Sequence, residues 1–91
     1  MNKTVDYSKL LEILVKDFTW PSPYMFKFIV PFESEGLNQL KVLFNSTAKI
    51  THKESSSSKY ISFTALQLMD NPDEVIEIYK SAEKIDKIIS I

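Results

Sequence analysis

Ninety-one residues make one small domain, with no room for a second core. The chain is 44% hydrophobic and 12% aromatic, which is ordinary for a folded chain and too apolar for disorder. It has no cysteine, hence no disulfide, thiolate ligand or thiol nucleophile, and its 11 basic and 12 acidic residues lack the basic excess of a nucleic-acid binder.

The opening Met1-Asn2-Lys3-Thr4-Val5-Asp6 is polar and carries no signal-peptide pattern, and no apolar run nears the ~20 residues of a membrane span. The expectation is a soluble cytoplasmic protein. SKLLEILVKDF, 8–18, spaces Leu10, Leu11, Leu14, Val15 and Phe18 for an amphipathic helix, with Ser8 or Asp6 as N-cap. Trp20-Pro21-Ser22-Pro23 ends it, because paired prolines exclude helix.

YMFKFIV, 24–30, is aromatic and β-branched with only Lys27 polar, and so predicts a central strand. Tyr24, Phe26, Phe28 and Val30 share one face; Met25, Lys27 and Ile29 share the other. Ser34 opens a helical stretch, SEGLNQLKVLF, with a stripe of Leu37, Leu40, Leu43 and Phe44. Its Gly36, the chain's one glycine, falls in the first turn, where the helical penalty is mild. AKITHKE, 48–54, is mostly polar and carries two lysines, which suits a sheet edge.

Four consecutive serines, Ser55 to Ser58, then join this strand to KYISFTALQL, 59–68. There Ile61, Phe63 and Ala65 alternate with Tyr60, Ser62 and Thr64. Asn71-Pro72-Asp73-Glu74 is the sharpest helix start in the chain: Asn71 caps, Pro72 takes the first position, and Glu74 stands where a capping box needs it. KIISI, 87–91, predicts a last short strand.

After the first helix the order is βαββαβ. Right-handed crossovers make this an α+β, ferredoxin-like sandwich: an antiparallel four-stranded sheet of order 4-1-3-2, with two helices on one face and an extra N-terminal helix. Residues 1–22 form the N-terminal helix and Pro-rich connection, and 23–91 the βαββαβ core. The two most apolar strands then fall at the centre and the polar one at an edge.

The segments WPSPYMFKFIVP (20–31), SSSSKYIS (55–62) and NPDEVIEIYK (71–80) resemble the YbeD-like family of small bacterial proteins, in its Bacteroidetes-type branch. The resemblance covers roughly residues 7–91. It implies a fold similar to ACT domains, the amino-acid-sensing regulatory modules, and supplies no catalytic residues to carry over. The family commonly has a glycine before the Lys-Tyr pair, where this chain has Ser58, so the hairpin type stays open.

Candidate chemistry is sparse. A serine nucleophile needs a base and an oxyanion hole, usually on a glycine-containing turn. Here there is one histidine, His52, and no glycine near the serines. One histidine and scattered carboxylates give no zinc spacing, and no cofactor is expected. RNA recognition of the RRM type wants outward aromatics on both central strands, and KYISF offers Tyr60 alone.

What remains is the sheet face away from the helices: Met25, Lys27, Ile29, Tyr60, Ser62 and Thr64, with Thr51 and Lys53 beside them. This face calls for a cover, either the N-terminal helix, a second copy or a partner. Lys53, Ser57, Ser58 and Lys59 form a possible anion contact at the hairpin, weighed against a plain turn, which is the simpler expectation. The functional expectation is a non-enzymatic regulatory or adaptor domain, ACT-like, acting through a protein partner or homodimer, without nucleic acid or membrane. The alternative is a small-molecule-sensing module that controls a metabolic enzyme in trans.

Overall fold

Phe26, Phe28 and Val30 are buried, while the alternate residues Met25 and Lys27 are exposed and Ile29 is half-buried. That alternation organises the whole molecule. In a computed structural model, which describes residues 6–91, these side chains lie on β1 (Ser22–Pro31), the strand onto which the helices pack. Residues 1–5, read from sequence as a polar lead-in, lie outside the described residues.

The other elements are α1 (Ser8–Asp17), α2 (Gly36–Lys41), β2 (Lys49–Glu54), β3 (Tyr60–Met69), α3 (Pro72–Ala82) and β4 (Ile89–Ser90). The strands form one open sheet in the order β2-β3-β1-β4, antiparallel throughout. This is the expected 4-1-3-2 order read from the other edge. β1 pairs with β3 along its full length, from Ser22↔Met69 to Pro31↔Tyr60. β2, with its lysines, lies at the edge.

All three helices pack against the same side of the sheet. The half-buried Leu10, Leu11 and Phe18 of the α1 segment, Leu37, Leu43 and Phe44 around α2, and Ile78 and Tyr79 of α3 surround a core of Phe26, Phe28, Val30, Phe63, Ala65 and Val75. α1 therefore does not cover the open face, which was one of the three occupants expected there. Its apolar stripe is satisfied on the helical side except for Val15, which was expected in the stripe and is 62% exposed: Leu14 is buried, the Tyr7 ring stacks on Tyr79 at 6.4 Å, and Trp20 Nε1 donates to the Leu14 carbonyl at 3.0 Å.

Several element ends differ from the sequence pattern. The N-cap of α1 is Tyr7, not Ser8 or Asp6, and the Asp6 carboxylate instead accepts the Ser8 amide at 2.9 Å. That bond holds the Asp6 carboxyl below its usual range. α2 is shorter than the 34–44 stretch: after Lys41 the chain tightens into i→i+3 bonds, Leu43 N–H to Leu40 and Phe44 N–H to Lys41. Leu43 and Phe44 still reach the core from this turn. β4 is two residues long, although the Ile91 amide still donates to the Lys27 carbonyl.

The start of α3 follows the expected chemistry. Asn71 Oδ1 accepts the Glu74 amide at 3.0 Å and Pro72 opens the helix. The return bond of the capping box moves one residue upstream, with Glu74 Oε1 accepting from the Asp70 amide at 3.2 Å. Gln67, the one buried polar side chain of the described residues, takes the Asn45 amide at 2.9 Å and so ties the α2–β2 connection to β3.

Candidate functional site

The face opposite the helices is an ordered grid, because cross-strand partners in an antiparallel sheet project to the same side. Across β2-β3-β1-β4, one row reads Lys53, Ser62, Ile29, Ile89. The next reads Thr51, Thr64, Lys27, and the third Lys49, Leu66, Met25. Tyr60 opposite Pro31 and Leu68 opposite Pro23 close the two ends. The structure thus brings all six residues of the expected interaction face, Met25, Lys27, Ile29, Tyr60, Ser62 and Thr64, onto one surface.

Exposure there is high for apolar side chains. Met25 is 51% exposed, Tyr60 47%, Leu68 58% and Ile89 52%. Leu66, Leu68 and Ile89 were not singled out from sequence. The two leucines were legible, since carrying the Tyr60-Ser62-Thr64 alternation two steps further reaches both. Ile89 was not, because KIISI fits either phase until its pairing with Ile29 is known. Between the β2–β3 hairpin and β1 the face dips into a groove of about 560 Å³, lined by Ile29, Lys53, Glu54, Ser55, Ser56, Tyr60 and Ser62.

The serine run is a turn held in part by the oxygens of Ser55. Ser55 N–H donates to the Tyr60 carbonyl and Ser58 N–H to the Ser55 carbonyl. Ser55 Oγ accepts from both the Lys59 and Tyr60 amides at 3.2 Å, and it lies 3.2 Å from the Ser57 hydroxyl. Of the expected anion contact (Lys53, Ser57, Ser58, Lys59), Lys53 belongs to the groove, whereas the Ser58 and Lys59 amides are already engaged within the turn. His52 lies opposite Phe63, on the other side of the sheet from Tyr60 and Ser62, so the histidine is not placed to activate the face hydroxyls.

Ser58 sits at φ 57°, in the left-handed region where a side chain is strained. This explains why glycine suits the position. Ser58→Gly relieves roughly 1–2 kcal/mol of strain and gives back about 0.5–1 kcal/mol through added freedom of the unfolded chain. The expected net is a gain of about 0.5–1 kcal/mol, read as a rise of several degrees in the thermal midpoint; a fall would contradict the assigned turn.

A second cluster lies on the helical side. Tyr7 OH donates to Glu83 at 2.6 Å, and the Tyr24 and Tyr79 hydroxyls meet at 3.1 Å. Burial, and then the Glu83 carboxylate, pushes the Tyr7 phenol up to about 12. Burial and then the Tyr24 hydroxyl raise Tyr79 further. Both are locked in the neutral, hydrogen-bonded form, which suits a structural clasp between α1, α3 and β1 and not a general base. The folded state holds these protons more tightly than the unfolded chain, whose tyrosines ionise near 10. Stability is therefore expected to fall as pH rises from about 10 toward 12, and Tyr7→Phe to flatten that fall, in urea midpoints followed by circular dichroism.

Among the described residues there is no group of three His, Cys, Asp or Glu side chains fit to hold a metal, and no helix is long and apolar enough to cross a membrane. No family model matches the chain, and neither the curated proteins nor the solved structures contain a significant match.

Proposed function

We propose that the chain is a non-enzymatic regulatory or adaptor domain that works by protein–protein association through its open sheet face. The observation that carries this reading is the cluster of exposed Met25, Leu68, Ile89 and Tyr60 around half-buried Ile29 and Leu66, on a side that no helix of the described residues covers. Single apolar residues are normal on a surface, whereas several gathered on one uncovered sheet face support an interaction surface. The βαββαβ order and the β2-β3-β1-β4 arrangement support a ferredoxin-like layout of the ACT type. The sequence resemblance to the YbeD-like family agrees with it, and the reading includes a cytoplasmic setting. Fold analogy does not itself assign an activity.

The test compares wild type with Met25→Asp and Leu68→Asp, both at exposed positions. Light scattering after size exclusion reports self-association, and affinity purification from native cells reports partners. An association lost in both variants, with the thermal midpoint kept, is the expected result. Wild type that is strictly monomeric at high concentration, and captures nothing the variants do not, would discard the reading.

The groove at the hairpin root favours a second reading, a small-molecule sensor acting on an enzyme in trans. It combines an apolar floor at Ile29 with the Tyr60 and Ser62 hydroxyls and the Lys53 amine. A thermal-shift screen of amino acids and nucleotide metabolites separates the two. A ligand at a hundredfold excess over its Kd stabilises by about 2.7 kcal/mol, and no shift across the screen removes the sensor.

A further inference from the structure

The open face is electrically one-sided. At its strand positions the charged residues are Lys49 and Lys53 on β2 and Lys27 on β1, all cations. Glu54 approaches only at the hairpin end of the groove. The chain as a whole is net −1; with those three lysines set aside, the other 8 basic residues face 12 acidic ones. Acidic groups accordingly concentrate elsewhere, including Asp73, Glu74, Glu77 and Glu83 along α3 and just beyond it.

This distribution decides among possible occupants. A second copy stacked face to face would bring six lysines and no strand carboxylate into one interface, and burying unpaired like charges is strongly unfavourable. Nucleic acid would find one stacking platform, Tyr60, and no second outward aromatic on the face. A partner that answers both halves of the face must bring aliphatic side chains for Met25, Ile29, Leu66 and Leu68, with carboxylates beside them for the lysines. From β2 to β4 the face spans three strand spacings, about 14 Å, against about 10–12 Å for a helix with its side chains. One helix laid along the strands covers Met25, Ile29, Leu66 and Leu68, crosses the Thr64–Lys27 row between them, and leaves Lys49 and Lys53 at its flank.

We propose, resting on the reading of this face as an association surface, that its occupant is an acidic amphipathic helix supplied by another protein. Hydrophobic contact would provide most of the affinity, and the lysines the choice of partner and the salt dependence.

The experiment uses the full chain and two synthetic helical peptides of about 20 residues, enough to run the length of β3. They share a leucine face and differ in its flanks, one carrying glutamates and the other lysines. Binding is read by fluorescence anisotropy and mapped by amide chemical shifts. The expected result is that the glutamate peptide binds, perturbs Met25, Lys27, Ile29 and Leu66, and weakens as salt is raised. Lys27→Glu, at an exposed position, is expected to weaken it roughly tenfold and to let the lysine peptide bind instead.

Equal binding of both peptides, shifts confined to the helical side, or preference for a single-stranded oligouridylate or phosphatidylserine vesicles over the glutamate peptide would overturn the assignment. A native partner lost on Met25→Asp but indifferent to Lys27→Glu leaves the association reading standing and removes the acidic helix. If no peptide binds and Met25→Asp changes nothing in native capture, both fall.

Discussion

Phe26→Ala is expected to remove about 4 kcal/mol of stability, near half of what a domain of this size possesses. Phe26 is fully buried, and its ring meets four others: Tyr24 at 4.8 Å, Phe44 at 5.2 Å, Tyr79 at 5.4 Å and Phe28 at 6.5 Å. Those rings come from β1 itself, the turn after α2, and α3, so one side chain joins three segments of the chain. Its partner across the sheet is Ala65, whose small side chain leaves space for the ring. Truncation leaves a cavity that rigid aromatics close poorly, so transfer and cavity terms add. Phe26→Leu keeps most of the volume and should lose only about 1 kcal/mol. Urea unfolding of the three proteins is the check. A loss below about 1.5 kcal/mol for the alanine variant would show that the aromatic cluster closes around the gap.

Gly36→Ala is expected to lose about 2 kcal/mol, with a sign opposite to helix propensity. In a helix, alanine for glycine ordinarily gains up to about 1 kcal/mol. Gly36, however, is buried where α2 crosses β1: a Cβ there would fall 2.7 Å from Val30 Cβ and 2.8 Å from Val30 Cγ1. Val30 Cβ is fixed to the backbone whatever rotamer the side chain takes, so that contact is relieved only by lifting α2 off the strand. That shift would also disturb the Leu40 contact with the core. Its φ is not positive, so the need is for space and not for conformation. Measured stability that rises in Gly36→Ala would show that α2 has room to move.

This glycine also marks how far local reasoning reaches. From sequence, Gly36 is a mild helical penalty, since nothing in SEGLNQLK announces that Val30 stands against it. Asn71-Pro72 is the opposite case. Every group in that cap lies within four residues, so the sequence contains the whole interaction and the structure repeats it with one bond shifted upstream. The serine run is intermediate. Its place as a hairpin was legible from the strands on either side, but the left-handed Ser58 and the double acceptance by Ser55 Oγ depend on how β2 and β3 register.

By itself the sequence determined the kinds and order of the elements, the central places of the two apolar strands and the polar edge, because each follows from the side chains of one segment. It also determined the core-facing and outward-facing sets on β1 and most of β3, since alternation is a local property of an extended chain. Only the tertiary structure decided where α1 goes. An apolar stripe says that a helix must be covered, not by what, and the Tyr7, Tyr79 and Glu83 contacts that draw it to α3 lie more than seventy residues apart in the chain for Tyr7 and Glu83. The same long-range packing uncovered the opposite side of the sheet and put Lys27, Lys49 and Lys53 among its exposed aliphatic residues. A charge pattern across four strands is a property of register, and register exists only once the chain has folded.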